Sequence, residues 1–190
     1  MIIRIISIYI VLTVMISASI ALAGENSTDM HFGIRAGLFG EGSVDVGNRS
    51  FSTESGLCGG IFWDFQVMNK TYLGLAVDIA EIGNNDINLN EHLLNLSLEI
   101  KRRFNIENKD IYFRPGIAIG YAFLNEIPYV DLKDSRYITF RGFAEMIAPL
   151  NEKSCVFADF GLFWCPSGGD GDIDVTGGPF LQLRLGFVFK

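Results

Sequence analysis

Ten charged side chains interrupt stretches of sequence that otherwise alternate between apolar and small or polar residues. Five are acidic and five are basic: Arg35, Asp64, Asp78, Glu99, Lys101, Arg114, Arg141, Glu145, Asp159 and Arg184. Because alternate residues of a β-strand share a face, we expect all ten on one face of a sheet. Equal numbers of both signs favour an enclosed face, where an unpaired charge would cost several kcal/mol. The pattern predicts a buried network of ion pairs.

The same charges have an alternative use, because buried arginines and carboxylates that exchange partners would open a narrow path for ions. Bulky rings share the parity of these charges, among them Phe62, Tyr72, Phe143 and Phe163, together with many glycines. Rings and charges together would fill a small interior. We therefore prefer a static, satisfied network that fixes the shape of the fold.

An acid–base pair is the strongest catalytic candidate. A turn within residues 83–91 would place Glu81 opposite His92, near one rim of the sheet. Such a pair still needs a nucleophile, and the nearby hydroxyl groups belong to loop residues such as Thr53 and Ser55. Two polar groups at a rim are the simpler explanation, so we predict no catalytic residue and no cofactor.

Metal ligation has a weak candidate in an acidic loop. Asp170, Asp172 and Asp174 stand at alternate positions, as in calcium loops, yet Val175 takes the position of the glycine that an EF-hand loop needs. The two histidines of the sequence fall at opposite ends of the expected sheet and cannot share an ion. We predict no metal centre, with weak binding of divalent ions by the acidic loop as the alternative.

The elements that must hold these residues are β-strands. Period-two alternation marks eight segments: 31–39, 56–68, 72–82, 92–104, 110–123, 136–149, 154–165 and 179–189. Short polar turns at 69–71, 105–109 and 151–153 alternate with longer loops at 40–55, 83–91, 124–135 and 167–178. An even number of strands, with every short turn at one end, predicts an all-β, eight-stranded antiparallel up-and-down transmembrane β-barrel.

The opposite face of every strand is aliphatic and aromatic, and its rings form two groups. The group near the short turns contains Phe32, Phe65, Phe104, Phe113, Phe187 and Phe189, and the group near the long loops contains Tyr121, Phe123, Phe140 and Trp164. Two aromatic belts that flank an aliphatic band match the two headgroup regions of a bilayer. The last strand, 179–189, would then turn its leucines to lipid and Arg184 to the interior.

Composition limits the remaining classes. A net charge of −7 and a pI near 4.8 argue against a general nucleic-acid binder, which needs a concentrated basic face. The three scattered cysteines fit buried thiols better than a disulfide framework. Residues 1–23 combine Arg4, a long apolar stretch and the pair Ala21 and Ala23, so we expect a cleaved signal peptide, with an uncleaved anchor helix as the alternative. Residues 24–190 would form the barrel domain.

In its eight alternating segments and its ending at 184–189, the chain resembles the small eight-stranded outer-membrane barrel proteins of Gram-negative bacteria, the OmpA/OmpX-like and opacity-type barrels. The resemblance covers residues 31–190 and departs at Lys190, where the family more often ends on an aromatic residue. It implies a monomer in the bacterial outer membrane, surrounded by outer-membrane lipid and lipopolysaccharide. It also implies recognition of the last strand by the barrel-insertion machinery.

These expectations favour a structural or surface-interaction protein that meets an unidentified surface ligand through four outer loops. A narrow, gated, porin-like channel is the first alternative. A lipid A-modifying enzyme at the rim of Glu81 and His92 is the second, since some small barrels carry out that chemistry. A soluble barrel with an apolar ligand is the third, and it would need every strand to face the opposite way around a cavity that eight strands hardly provide.

Overall fold

The computed structural model describes residues 30–84, 89–107, 109–127, 132–169 and 174–190. The expected signal peptide at 1–23 lies outside the described residues, and so do Asp170 and Asp172. No helix in the described part of the chain is long and apolar enough to cross a membrane.

The described chain is built from β-strands in an up-and-down order. The strands are β1 (Met30–Phe39), β2 (Gly42–Val46), β3 (Arg49–Thr53), β4 (Gly56–Met68), β5 (Thr71–Asn84), β6 (Leu89–Arg102), β7 (Phe104–Asn105), β8 (Tyr112–Ile127), β9 (Leu132–Asn151), β10 (Ser154–Gly169) and β11 (Val175–Phe189). Eight long strands pair antiparallel in the order β1-β4-β5-β6-β8-β9-β10-β11, and β1 pairs with β11 to close the sheet. The predicted eight-stranded antiparallel barrel is confirmed.

The segment 40–55, expected to be a loop, forms a β-hairpin instead. Strands β2 and β3 pair from Gly42 opposite Thr53 to Val46 opposite Arg49, and β2 also pairs with the start of β11. The turn between them begins with Gly47 at a φ of 56°, a conformation that glycine adopts without strain. Val46 is buried, so the hairpin forms because its apolar face covers one end of the barrel. We call that end the hairpin end and the opposite end the short-turn end.

The three other expected loops are shorter than the sequence indicated. Within 83–91, β5 reaches Asn84 and β6 begins at Leu89. Strand β8 continues to Ile127 and β9 begins at Leu132, so that paired strand occupies most of 124–135. Likewise β10 reaches Gly169 and β11 begins at Val175 within the expected loop 167–178. The sequence of these strand ends lacks a regular apolar alternation. Residues that pair beyond the apolar band of the barrel need no apolar face, so the strands were not recognised. The barrel therefore carries a sheet extension at its hairpin end.

Large rings inside the barrel lie over glycines of neighbouring strands. A Cβ atom on Gly33 would overlap the Phe62 ring, and one on Gly116 would lie 2.6 Å from the Phe143 ring. An eight-stranded barrel is only wide enough to be filled by side chains. Each of these two rings therefore needs a strand position without a side chain beside it.

Apolar residues fill the interior on both sides of the charged side chains. The upper apolar cluster, at the hairpin end, comprises Phe39, Val46, Cys58, Ala80, Ile82, Leu93, Ala122, Leu124, Tyr137, Phe163, Cys165, Val175 and Phe180. The lower apolar cluster comprises Phe62, Ala76, Tyr112, Ile147, Cys155, Phe157 and Val188. All three cysteines are buried free thiols. They pack as small apolar side chains, as the sequence predicted.

We expect Gly33→Ala to destabilise the barrel by about 1–3 kcal/mol, because the added methyl group competes with the Phe62 ring for the same space. The measurement is the urea midpoint of unfolding in detergent micelles, followed by the mobility difference between folded and heated protein on gels. Gly142→Ala is the matched control, since a Cβ on Gly142 meets no atom within 4 Å. Equal midpoints for the two variants would contradict the ring-over-glycine packing.

Candidate functional site

The structure places all ten charged residues on the inner face of the barrel. Each has at most 8% of its surface exposed. Strand β11 shows the division of faces most clearly, because Arg184 is 1% exposed whereas Leu183 and Leu185 are 50% and 66% exposed. The charges therefore lie in the interior and the leucines outside.

Four of the charges form a closed ring toward the short-turn end. Lys101 Nζ lies 2.9 Å from Asp64 Oδ1 and 3.3 Å from Glu145 Oε1. Arg114 binds the same two carboxylates, at 3.0 Å to Asp64 and 2.6 Å to Glu145. Signs alternate around this lower ring, so each charge has two neighbours of the opposite sign.

A second ring lies nearer the hairpin end. Arg35 donates two hydrogen bonds to the carboxylate of Asp78, at 2.6 and 2.8 Å. Arg184 joins Asp78 to Asp159, with 2.9 Å to each carboxylate. Arg35 closes this upper ring at 4.0 Å from Asp159, and Arg141 also pairs with Asp159. Paired, hydrogen-bonded geometry of this kind is what makes a buried charge tolerable.

Glu99 connects the two rings. Its carboxylate lies 2.8 Å from Lys101 Nζ in the lower ring and 2.9 Å from Arg35 in the upper one, with Arg141 at 3.6 Å. Lys101 Nζ also lies 4.3 Å from the centre of the Phe62 ring. All ten charges thus belong to one connected network in which each has at least two partners of opposite sign.

The upper apolar cluster lies on the hairpin side of the network. Phe39, Phe163 and Phe180 are 3% exposed or less and contact one another in tilted and edge-on geometry, with ring centres 4.7–6.4 Å apart. A void of about 10 Å³ lies between these rings and the charges, beside Asn95 and Gln182. Such a void holds about one water molecule. Rings and charged side chains are closely packed at this level.

Sequence analysis missed the upper apolar cluster as a feature. Its members continue the inward parity of the charges, as Phe180 does four residues before Arg184, so the signal was present in the alternation. It was overlooked because Phe39, Cys165 and Phe180 stand beside segments that were expected to be loops.

The candidate acid–base pair is in register, because Glu81 lies opposite His92 in the β5–β6 ladder. Glu81 Oε2 accepts a hydrogen bond from the Leu57 N–H at 3.0 Å, while His92 is exposed on the outer face. Thr53, one of the two hydroxyls considered, is buried and accepts a hydrogen bond from the Gly42 N–H at 3.1 Å. That hydroxyl serves the hairpin and not the pair, so the geometry gives the pair no activated nucleophile from Thr53.

Rings of both predicted belts lie on the outer face. Near the short turns, Phe32 lies between Trp63 and Phe189, with ring centres 5.4 and 6.4 Å away. Near the hairpin end, Tyr121 packs on Phe123 at 5.0 Å, and Phe140 stacks on Trp164 at 5.6 Å. Trp63 belongs with the lower group and was missed, although it shares the parity of Phe65 on the same strand.

The expected acidic loop is described only at Asp174 among its three aspartates. Asp174 is exposed, and its two partners lie outside the described residues. Within the described ranges, no group of three or more histidine, cysteine, aspartate or glutamate side chains is placed to hold a metal ion.

We expect Arg114→Met to destabilise the barrel by about 3–5 kcal/mol, because it leaves a surplus negative charge among Asp64, Glu145 and their remaining partner. The double variant Arg114→Met, Glu145→Gln restores neutrality and should recover much of that loss. Urea unfolding in micelles measures both. Lys153→Met, at an exposed turn, is the control for loss of a positive charge. Additive losses in the double variant would show that the network is not electrostatically coupled.

No protein-family model matches the sequence, and no curated protein matches it either. Among solved structures, the chain is similar to Neisserial surface protein A (NspA), with 13% identity, a TM-score of 0.59, and coverage of 87% of this chain and 99% of that one. It is also similar to the outer membrane protein OprG from Pseudomonas aeruginosa, with 11% identity, a TM-score of 0.51, and coverage of 84% and 94%. The chain thus has the fold of the small eight-stranded outer-membrane barrels.

Proposed function

We propose that the protein resides in the bacterial outer membrane as a closed, charge-paired barrel with a structural or surface-interaction role at its hairpin end. The proposal rests on one observation: apolar side chains cover the outside of the barrel and charged side chains lie inside, the reverse of a soluble protein. Large aliphatic and aromatic side chains cover the outside, as at Leu57, Ile117 and Leu185, each more than 60% exposed. A soluble protein rarely exposes a continuous apolar surface of this extent. Hydrocarbon is the solvent that suits this outer face.

The dimensions of the outer face support the same setting. A tilted strand needs about 9–11 residues to cross a bilayer, and each long strand has at least ten. On β11, Leu181, Leu183 and Leu185 lead down to Phe187 and Phe189, so an aliphatic band ends in rings. Rings at both ends of such a band fit the two headgroup layers.

The parts beyond the apolar band favour a surface role. The β2–β3 hairpin and the extended ends of β8 to β11 form paired structure at the hairpin end, which is stiffer than free loops. Paired strands present a surface of fixed shape, and a fixed shape lowers the entropy cost of binding a partner. We propose this extension as the contact surface for an unidentified surface ligand.

The packed interior argues against conduction. An ion on the barrel axis would have to separate pairs such as Arg35 with Asp78 and then displace the rings of Phe39 and Phe180. Opening both layers exposes unpaired charges and a disrupted apolar cluster at once, which is costly. The closed state is therefore the stable one.

We expect an impermeant maleimide to label Asn48→Cys on intact cells and Asn69→Cys only after the outer membrane is permeabilised. Both positions are exposed turn residues, at the hairpin end and the short-turn end respectively, and the native cysteines are buried. Labelling of both variants on intact cells would refute the proposed orientation. Labelling of Asn69→Cys alone would reverse it.

We expect purified protein in planar lipid bilayers to give no discrete conductance steps, because charges and rings fill the interior. Insertion is checked by the heat-dependent gel mobility of protein recovered from the same bilayer preparation. Steps that change in Glu99→Gln, and stay unchanged in the exposed-turn variant Glu152→Gln, would establish the channel alternative instead.

A further inference from the structure

The two rims of the barrel carry opposite charge. At the short-turn end the described residues hold six basic side chains: Lys70, Arg102, Arg103, Lys109, Lys153 and Lys190. Three acidic side chains accompany them: Glu107, Asp110 and Glu152. The interior network is neutral, so this positive excess belongs to the rim alone.

The described side chains at the opposite rim are mainly acidic. Glu41, Asp45, Glu54 and Asp174 are exposed at the hairpin end and Glu81 is half-buried there, whereas the basic side chains are Arg49 and Arg136. The net charge of −7 is therefore distributed unevenly along the barrel axis, with basic side chains in excess at the short-turn end and acidic ones at the hairpin end.

The basic groups lie beside the lower aromatic belt. The backbone N–H of Lys190 donates to the Lys153 carbonyl at 2.9 Å, which places the two residues next to each other below Phe189. Phe189 in turn contacts Phe32, and Phe32 contacts Trp63. The backbones of two lysines thus border a ring cluster on the outer face, and the Arg102 guanidinium lies 5.8 Å from the centre of the Phe104 ring.

Five of the six basic side chains are exposed. The sixth, Arg103, is half-buried over the Tyr112 ring at 4.0 Å and donates to Asn105 at 2.9 Å, so it is engaged within the protein. The others extend from turns and strand ends, where long basic side chains reach the headgroup layer while their stems stay on apolar surface.

We propose that the short-turn rim binds the phosphate headgroups of anionic phospholipids and enriches those lipids around this end of the barrel. The inference rests on the proposed membrane location and adds a lipid class to it. Rings at the depth of the acyl chain boundary and ammonium groups just beyond it match the two parts of such a lipid. The acidic rim at the hairpin end repels the same headgroup, so we expect the preference for anionic phospholipid at the short-turn end alone.

The two tryptophans of the sequence report on the two ends separately, since Trp63 lies in the lower belt and Trp164 in the upper. Trp164→Phe leaves Trp63 as reporter, and Trp63→Phe leaves Trp164. Each variant is folded into symmetrical vesicles of phosphatidylcholine with a fraction of lipid brominated on its acyl chains, either phosphatidylglycerol or phosphatidylcholine. Quenching of tryptophan fluorescence then measures which lipid contacts each end.

We expect brominated phosphatidylglycerol to quench Trp63 with an association constant at least about twofold above that of brominated phosphatidylcholine at low salt. High salt should abolish the difference. Trp164 should show no preference for the anionic lipid. Equal quenching of Trp63 by both lipids, or an equal anionic preference at Trp164, would overturn the proposal.

The matched variants remove two positive charges at either end. Lys153→Gln with Lys190→Gln should abolish the preference seen by Trp63, whereas Arg49→Gln with Arg136→Gln, both exposed at the hairpin end, should leave it intact. Should the first pair fail to fold, Lys70→Gln with Lys109→Gln removes charge from other turns of the same rim. A chain that inserts into no vesicle, and is quenched by neither lipid, would refute the membrane location itself and not the lipid preference.

Discussion

The rest of the structure depends on the requirement that charges in a closed interior be paired. Water is largely excluded from a lumen that eight strands enclose, so a carboxylate such as Glu99 must obtain from Lys101 and Arg35 what solvent would otherwise supply. Pairs alone would suffice for neutrality. The observed rings go further, because each charge lies between two of opposite sign, and the loss of one contact leaves another in place.

Packing and pairing constrain each other within this space. Lys101 lies against the Phe62 ring, and that ring fits only because Gly33 has no side chain. The position of Lys101 therefore depends on the Phe62 ring, and the position of that ring depends on the glycine at residue 33 in β1. Apolar clusters flank the network and leave little room for water beside it, which strengthens its internal attraction and raises the cost of any unpaired member.

The sequence predicted the barrel and the division of its faces, because both follow from a period of two that runs through all eight strands. It also predicted which ten charges share the inner face. It could not predict their partners, since contacts such as Arg184 with Asp78 join residues that are far apart in the chain and depend on closure of the barrel. The β2–β3 hairpin was missed although Gly47 and Asn48 between alternating residues are a recognised turn signal. In that stretch the apolar face is only two or three residues long, so local alternation was too weak to distinguish strand from loop.

The buried charges also explain why the barrel adopts one strand register and not a register shifted by one residue. A shift of any strand by one residue would exchange its inner and outer faces, as a period of two requires. A shift of β11 would move Arg184 outside and Leu183 and Leu185 inside, leaving Asp78 and Asp159 each with one partner fewer. In the proposed membrane setting, the displaced arginine would also meet hydrocarbon. An apolar interior of equal volume would penalise such a shift far less, because leucine is accepted on both faces. The network therefore contributes to the selection of a single register, whatever its net contribution to stability.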